Sequence, residues 1–100
     1  MIGDRHERAH YAAAAWAQDL PAREKLHLLA LVELARDEGE CMVSLAQLSA
    51  LCGGSARTAI RSLNDLQRRG LVQRIPSMNE HGGRAANRYQ LTLPTQGADA

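Results

Sequence analysis

The sequence predicts a mainly α-helical domain completed by a small β-hairpin, and three features carry that expectation. Apolar residues recur at helical spacing through most of the first seventy positions. Glycine, proline and serine punctuate that stretch where helices begin and stop. Two short extended segments follow Gly70, and the second alternates apolar and polar residues from Asn87 to Leu93.

In chain order, the first helix spans about Arg8 to Gln18, where Ala12 to Ala15 and Trp16 have good helix propensity. Asp19-Leu20-Pro21 interrupts it. Pro21 suits the first turn of the next helix, whose early N–H groups lack partners in any case. That second helix runs to about Glu38, with Gly39 as its stop. Leu26 to Ala35 is apolar around most of the circumference, broken only by His27 and Glu33. Such a helix is buried on more than one side, so it is the central one. The first helix, or a second copy of the chain, must cover what the later helices leave open.

Cys41-Met42-Val43 reads as a short extended segment. Ser44 and Gln47 then form a capping box that opens a short helix with Leu45, Leu48 and Leu51 on one side. Gly53-Gly54 ends it, and Ser55 caps a further helix whose Ala59, Leu63 and Leu66 make an inward stripe. Gly70 closes that helix. Leu71 to Ile75 is a strand stopped by Pro76, and Asn87 to Leu93 is a half-buried strand with Tyr89, Leu91 and Leu93 inward. The intervening segment, 76–86, is too long for a tight turn. Helix, helix, short strand, helix, helix, strand, loop, strand is the order of a winged helix-turn-helix. The organisation expected is an N-terminal helix (1–18) for packing or dimerisation, the winged helix-turn-helix domain (19–93) and a flexible tail (94–100).

Composition bounds the function. One hundred residues with 45% apolar content make one domain, and its core must be aliphatic because there is no Phe. No apolar run approaches the ~20 residues that span a bilayer, and the charged start lacks a secretory signal, so the expected compartment is the cytoplasm. Cys41 and Cys52 read as small buried hydrophobes rather than a disulfide or a zinc site. His6 and His10 read as surface polar residues. The sequence contains no catalytic constellation, no phosphate-binding loop and no cofactor motif. The domain is therefore not expected to be an enzyme or to carry a cofactor or metal.

Charge is polarised along the chain. Residues 1–54 carry five basic and eight acidic side chains, whereas residues 55–88 carry seven Arg against Asp65 and Glu80. A concentration of arginine attracts phosphate backbones. The helix after Ser55 turns Ala56, Arg57, Ile60, Arg61 and Asn64 away from its apolar stripe. Arg matches the edge of guanine and Asn that of adenine, each through two parallel hydrogen bonds. Arg57, Arg61 and Asn64 are thus candidate base readers or phosphate clamps.

Trp16-Ala17-Gln18, Arg23 to Leu26 through Leu31, Leu45 to Gly53, Ser55 to Thr58 through Leu66, Gly70-Leu71-Val72, and Gly82-Gly83-Arg84 with Asn87-Arg88-Tyr89 resemble one family. It is the winged helix-turn-helix family of phage and plasmid replication proteins and small phage or bacterial regulators. The resemblance implies a helix in the major groove of double-stranded DNA, with Ser55, Arg57, Thr58 and Arg61 on it and Arg84 on the wing. Ile60, Asn64 and Arg88 complete the candidate set. Ile60 occupies an outward position usually polar, which suits either a thymine methyl or a protein interface. The function expected is sequence-specific DNA binding, in regulation or at a replication origin. The alternative is a module that binds another protein.

Overall fold

A computed structural model of the chain describes residues 5–75 and 87–94. The 76–86 loop with Arg84, and the tail beyond Pro94, lie outside the described residues. Among the described residues, four helices surround a common core: α1 (Arg5–Ala17), α2 (Ala22–Leu34), α3 (Leu45–Cys52) and α4 (Ala56–Arg68). Three short strands, β1 (Glu40–Val43), β2 (Val72–Ile75) and β3 (Asn87–Leu91), form one antiparallel sheet in the order β1-β3-β2. Leu28 and Leu31 of α2, Leu48 of α3, Ala59, Leu63 and Leu66 of α4, and Val43, Val72, Tyr89 and Leu91 of the sheet make up most of the core.

The sheet has one strand more than the hairpin foreseen. Glu40–Val43 pairs with β3, placing Cys41 opposite Tyr89 and Val43 opposite Asn87. On the other side of β3, Val72 faces Leu91 and Arg74 faces Tyr89. The alternation in Asn87–Leu91 decides which face is inward: Tyr89 and Leu91 are buried, while Arg88 and Gln90 lie on the face away from the core.

Helix α2 ends at Leu34, four residues earlier than propensity suggests. Partners distant in sequence stabilise this early exit. The Arg8 guanidinium donates to the Ala35 carbonyl at 2.9 Å, and Glu7 accepts the Glu38 N–H at 3.2 Å. Arg36 N–H then bonds the Glu40 carbonyl at 2.7 Å, so the chain reverses through a 3-10 turn, Asp37–Gly39. Gly39 has φ +77°, and a Cβ there would lie 2.6 Å from the Tyr11 hydroxyl oxygen. Only glycine lets α1 approach so closely.

Helix α1 folds back on its own chain. Ala15 is fully buried, Tyr11 packs against the core, and Lys25 donates to the Trp16 carbonyl at 2.7 Å. Trp16 is nonetheless 63% exposed, its ring 5.8 Å from the Lys25 ammonium. In α3, Leu48 is buried but Leu51 is 54% exposed, contrary to the stripe expected of Leu45, Leu48 and Leu51. Each three-residue step drifts by about 60° around a helix, and two such steps carry Leu51 off the inward side. His27, an apparent interruption of α2, is buried; its Nδ1 donates to the Arg23 carbonyl at 2.8 Å.

Both cysteines are free thiols. Cys41 is buried and donates to the Leu31 carbonyl at 3.3 Å. Burial pushes its thiol from 9.0 up to about 12, with a smaller push from Glu40. A raised pKa in the fold means stability that is whole below about pH 9 and is lost as pH climbs toward 12. Burial also raises the phenols of Tyr11 and Tyr89 from 10.0, in the same direction. Urea unfolding followed from pH 8 upward should therefore show falling stability, and Cys41→Ala should flatten the onset; a profile unchanged by that substitution contradicts the assignment. Gly39→Ala should cost about 1 kcal/mol or more, and in a Tyr11→Ala background the steric part of the loss should disappear in the same measurement.

Candidate nucleic-acid interface

The outward face of α4 is assembled by local interactions. Gly53 and Gly54 both adopt positive φ, +82° and +98°, giving a sharp turn that L side chains rarely tolerate. Before the turn, the Ser44 hydroxyl accepts the Gln47 N–H at 3.0 Å while Gln47 Oε1 accepts the Ser44 N–H at 3.3 Å, fixing the start of α3. After it, the Ser55 hydroxyl accepts the Thr58 N–H at 3.2 Å and pairs with the Thr58 hydroxyl at 3.3 Å. Ala59, Ser62, Leu63 and Leu66 are buried. That burial fixes the rotation of α4 and turns Ala56, Arg57, Ile60, Arg61 and Asn64 to solvent.

Of the candidates on α4, Ser55, Arg57, Ile60, Arg61 and Asn64 are exposed together on this helix, and Thr58 is half-buried beside Ser55. Arg84 lies outside the described residues. Arg88 is on the sheet face away from the core, where its Nε donates to Glu40 at 3.0 Å and its Nη2 bonds the same carboxylate.

Ion pairs divide the arginines into two groups. Arg23 is held by Glu24 at 2.7 Å, and Asp65 takes both Arg69 at 2.9 Å and Arg68 at 3.3 Å. The hydrogen bond from Arg69 holds the Asp65 carboxyl below its ordinary range, helped by the charges of Arg69, Arg68 and Arg23. Among the described residues, Arg57 and Arg61 form no ion pair. Both side chains face solvent, with no carboxylate of the described residues in ion-pair contact.

Sequence reasoning did not single out Arg23. It comes from the first turn of α2 and lines a groove with Glu24, Arg61, Asn64, Asp65 and Arg68. The signal was a basic residue in the opening turn of the central helix, but only the packing of α2 against α4 brings it to this face. Arg74 was likewise left out. It pairs with buried Tyr89 and so shares that face of the sheet, yet it is exposed there and reaches the Asn87 side-chain carbonyl at 3.4 Å. Among the described residues no cluster of three or more potential metal ligands occurs, and no helix is long and apolar enough to cross a membrane.

A family model described as a helix-turn-helix domain matches residues 18–72, from the end of α1 through α2, α3 and α4 to the first residue of β2. No curated protein and no solved structure matches the chain. The Ser55 cap sits at the N-terminus of the candidate interface helix. Ser55→Ala should lower stability by about 1 kcal/mol in urea unfolding, and a loss under a few tenths would mean that the cap is not formed in solution.

Proposed function

Because the chain belongs to the helix-turn-helix domain family, we propose that it binds double-stranded DNA in a sequence-specific way, with α4 as the reading helix in the major groove. One observation supports this most: the exposed face of α4 carries Arg57, Arg61 and Asn64 together, and neither arginine is neutralised by a carboxylate among the described residues. A guanidinium fits the two acceptors of a guanine edge, and the Asn amide fits the donor and acceptor of adenine. Ser55 and Thr58 meet phosphate at the start of the helix, where unpaired N–H groups also point outward. Arg23 and Arg68 hold the flanking backbone. Arg84, with Arg88 released from Glu40, adds wing contacts to phosphate or minor groove.

The domain performs no chemistry in this reading. It acts as a regulator or as the origin-binding part of a phage or plasmid replication protein, a role supported by the Asn87-Arg88-Tyr89 and Gly82-Gly83-Arg84 motifs. A second copy of the chain pairs through α1 in this reading, at the outer stripe of Ala9, Ala12 and Trp16 beside Leu29 of α2, since Tyr11 and Ala15 are taken up by the same chain.

Fluorescence anisotropy with labelled duplexes, titrated over a range of salt, tests the proposal. Affinity should fall steeply, with a slope of about −0.9 for each phosphate neutralised. Arg57→Ala and Arg61→Ala should each cost about 1–3 kcal/mol on a specific site if they read bases, and weaken all sequences alike if they hold phosphate. Unchanged affinity in both variants, or no binding at low salt, rejects α4 as the interface and favours a protein partner.

A further inference from the structure

Ile60 is an apolar residue in the middle of the polar face of α4. Its side chain is 42% exposed, although β-branched residues are mediocre helix formers and gain nothing from facing water. Its neighbours on the same helix surface, three before and four after, are Arg57 and Asn64, and Arg61 is the next residue. No Asp or Glu occurs anywhere from Cys41 to Asn64. The centre of a protein–protein contact is depleted of charge and apolar over a contiguous area. Ile60 is flanked by two guanidinium groups and an amide instead. That surrounding suits a polyanion whose interior offers one apolar feature. In the major groove that feature is the 5-methyl group of thymine.

Building on the DNA-binding reading above, we infer that Ile60 is a specificity residue that selects thymine by its methyl group, between the bases met by Arg57 and Asn64. The helix rises about 1.5 Å per residue, so Arg57 to Asn64 covers about 10.5 Å. At about 3.4 Å per base step that is about three steps, or a window of about four base pairs. Arg57 stands at one end, over guanine, and Asn64 at the other, over adenine. Ile60 falls at an internal position. The target is therefore a duplex whose core contains one thymine at which exchange for cytosine, or loss of the methyl alone, weakens binding.

Uracil supplies the test, because it keeps every hydrogen-bonding group of thymine and lacks only the methyl. Bound duplexes are first selected from a random-sequence library with the full chain. Each thymine of the selected core is then replaced singly by deoxyuridine, and affinities are measured for the native protein and for Ile60→Ala. Alanine favours the helix more than isoleucine does, so this exposed substitution leaves the fold intact. One thymine should be sensitive in the native protein, with a loss of about fourfold, the worth of one methyl-sized group removed from water. Ile60→Ala should bind the thymine duplex more weakly and show no further loss with uracil. A core indifferent to uracil, or a loss of equal size in Ile60→Ala, overturns the inference while DNA binding stands. Failure to select any duplex overturns the DNA reading itself, and the inference with it.

Discussion

From His27 to Leu34, helix α2 leaves only Glu33 exposed, and the position of every other element follows from covering the rest. Helix α1 lays Tyr11 and Ala15 on one flank; α3 and α4 take another through Leu48, Ala59 and Leu63; the sheet closes the core with Val43, Tyr89 and Leu91. Without Phe in the sequence, this core is built largely from branched aliphatics that must interdigitate from several directions at once. The rotation of α4, and with it the set of side chains offered to a partner, is thus decided by what its opposite face buries.

The parts of this architecture legible in the sequence are those decided within one or two helical turns. The Ser44–Gln47 capping box, the Ser55 cap, the glycine turn and the Ala59, Leu63, Leu66 stripe each depend on residues at most seven apart, and the structure contains all of them. What could not be read depends on distant partners. Helix α2 stops at Leu34 because Arg8 and Glu7 bind the chain that follows it. Strand β1 joins the sheet because Glu40–Val43 finds Asn87–Gln90. Leu51 was misread for a different reason, a three-residue spacing taken as a stripe when it winds away from one.

The same division holds for the candidate site. Exposure of Arg57, Ile60, Arg61 and Asn64 follows from helical periodicity alone, and the structure has them exposed together. Which arginines remain uncommitted does not follow, because carboxylates are assigned in space. Glu40 takes Arg88 from across the sheet, Glu24 takes Arg23, and Asp65 holds two arginines one turn further along its own helix. A concentration of basic residues in the sequence becomes, in the fold, a smaller region of unneutralised charge. The paired arginines are oriented by their carboxylates and retain exposed side chains, as Arg68 does at 69%.

Strand β3 is fixed on both edges, by β1 through Glu40–Val43 and by β2 through Val72–Ile75. A one-residue slip would exchange Tyr89 and Leu91 for Arg88 and Gln90 in the core, so its register is strongly held. The points where the chain leaves the sheet at Ile75 and returns at Asn87 are therefore anchored independently of the eleven residues numbered 76–86. Closing a longer connection costs only about 0.6 kcal/mol for each doubling of its length. Insertions and deletions in that segment can accumulate without retuning the helices, so the fold separates a part free to diversify from a part that must not move. Over a lineage, the segment 76–86 is where length variation is cheapest to explore, while α4, tied to the core by Ala59, Leu63 and Leu66, must change one side chain at a time.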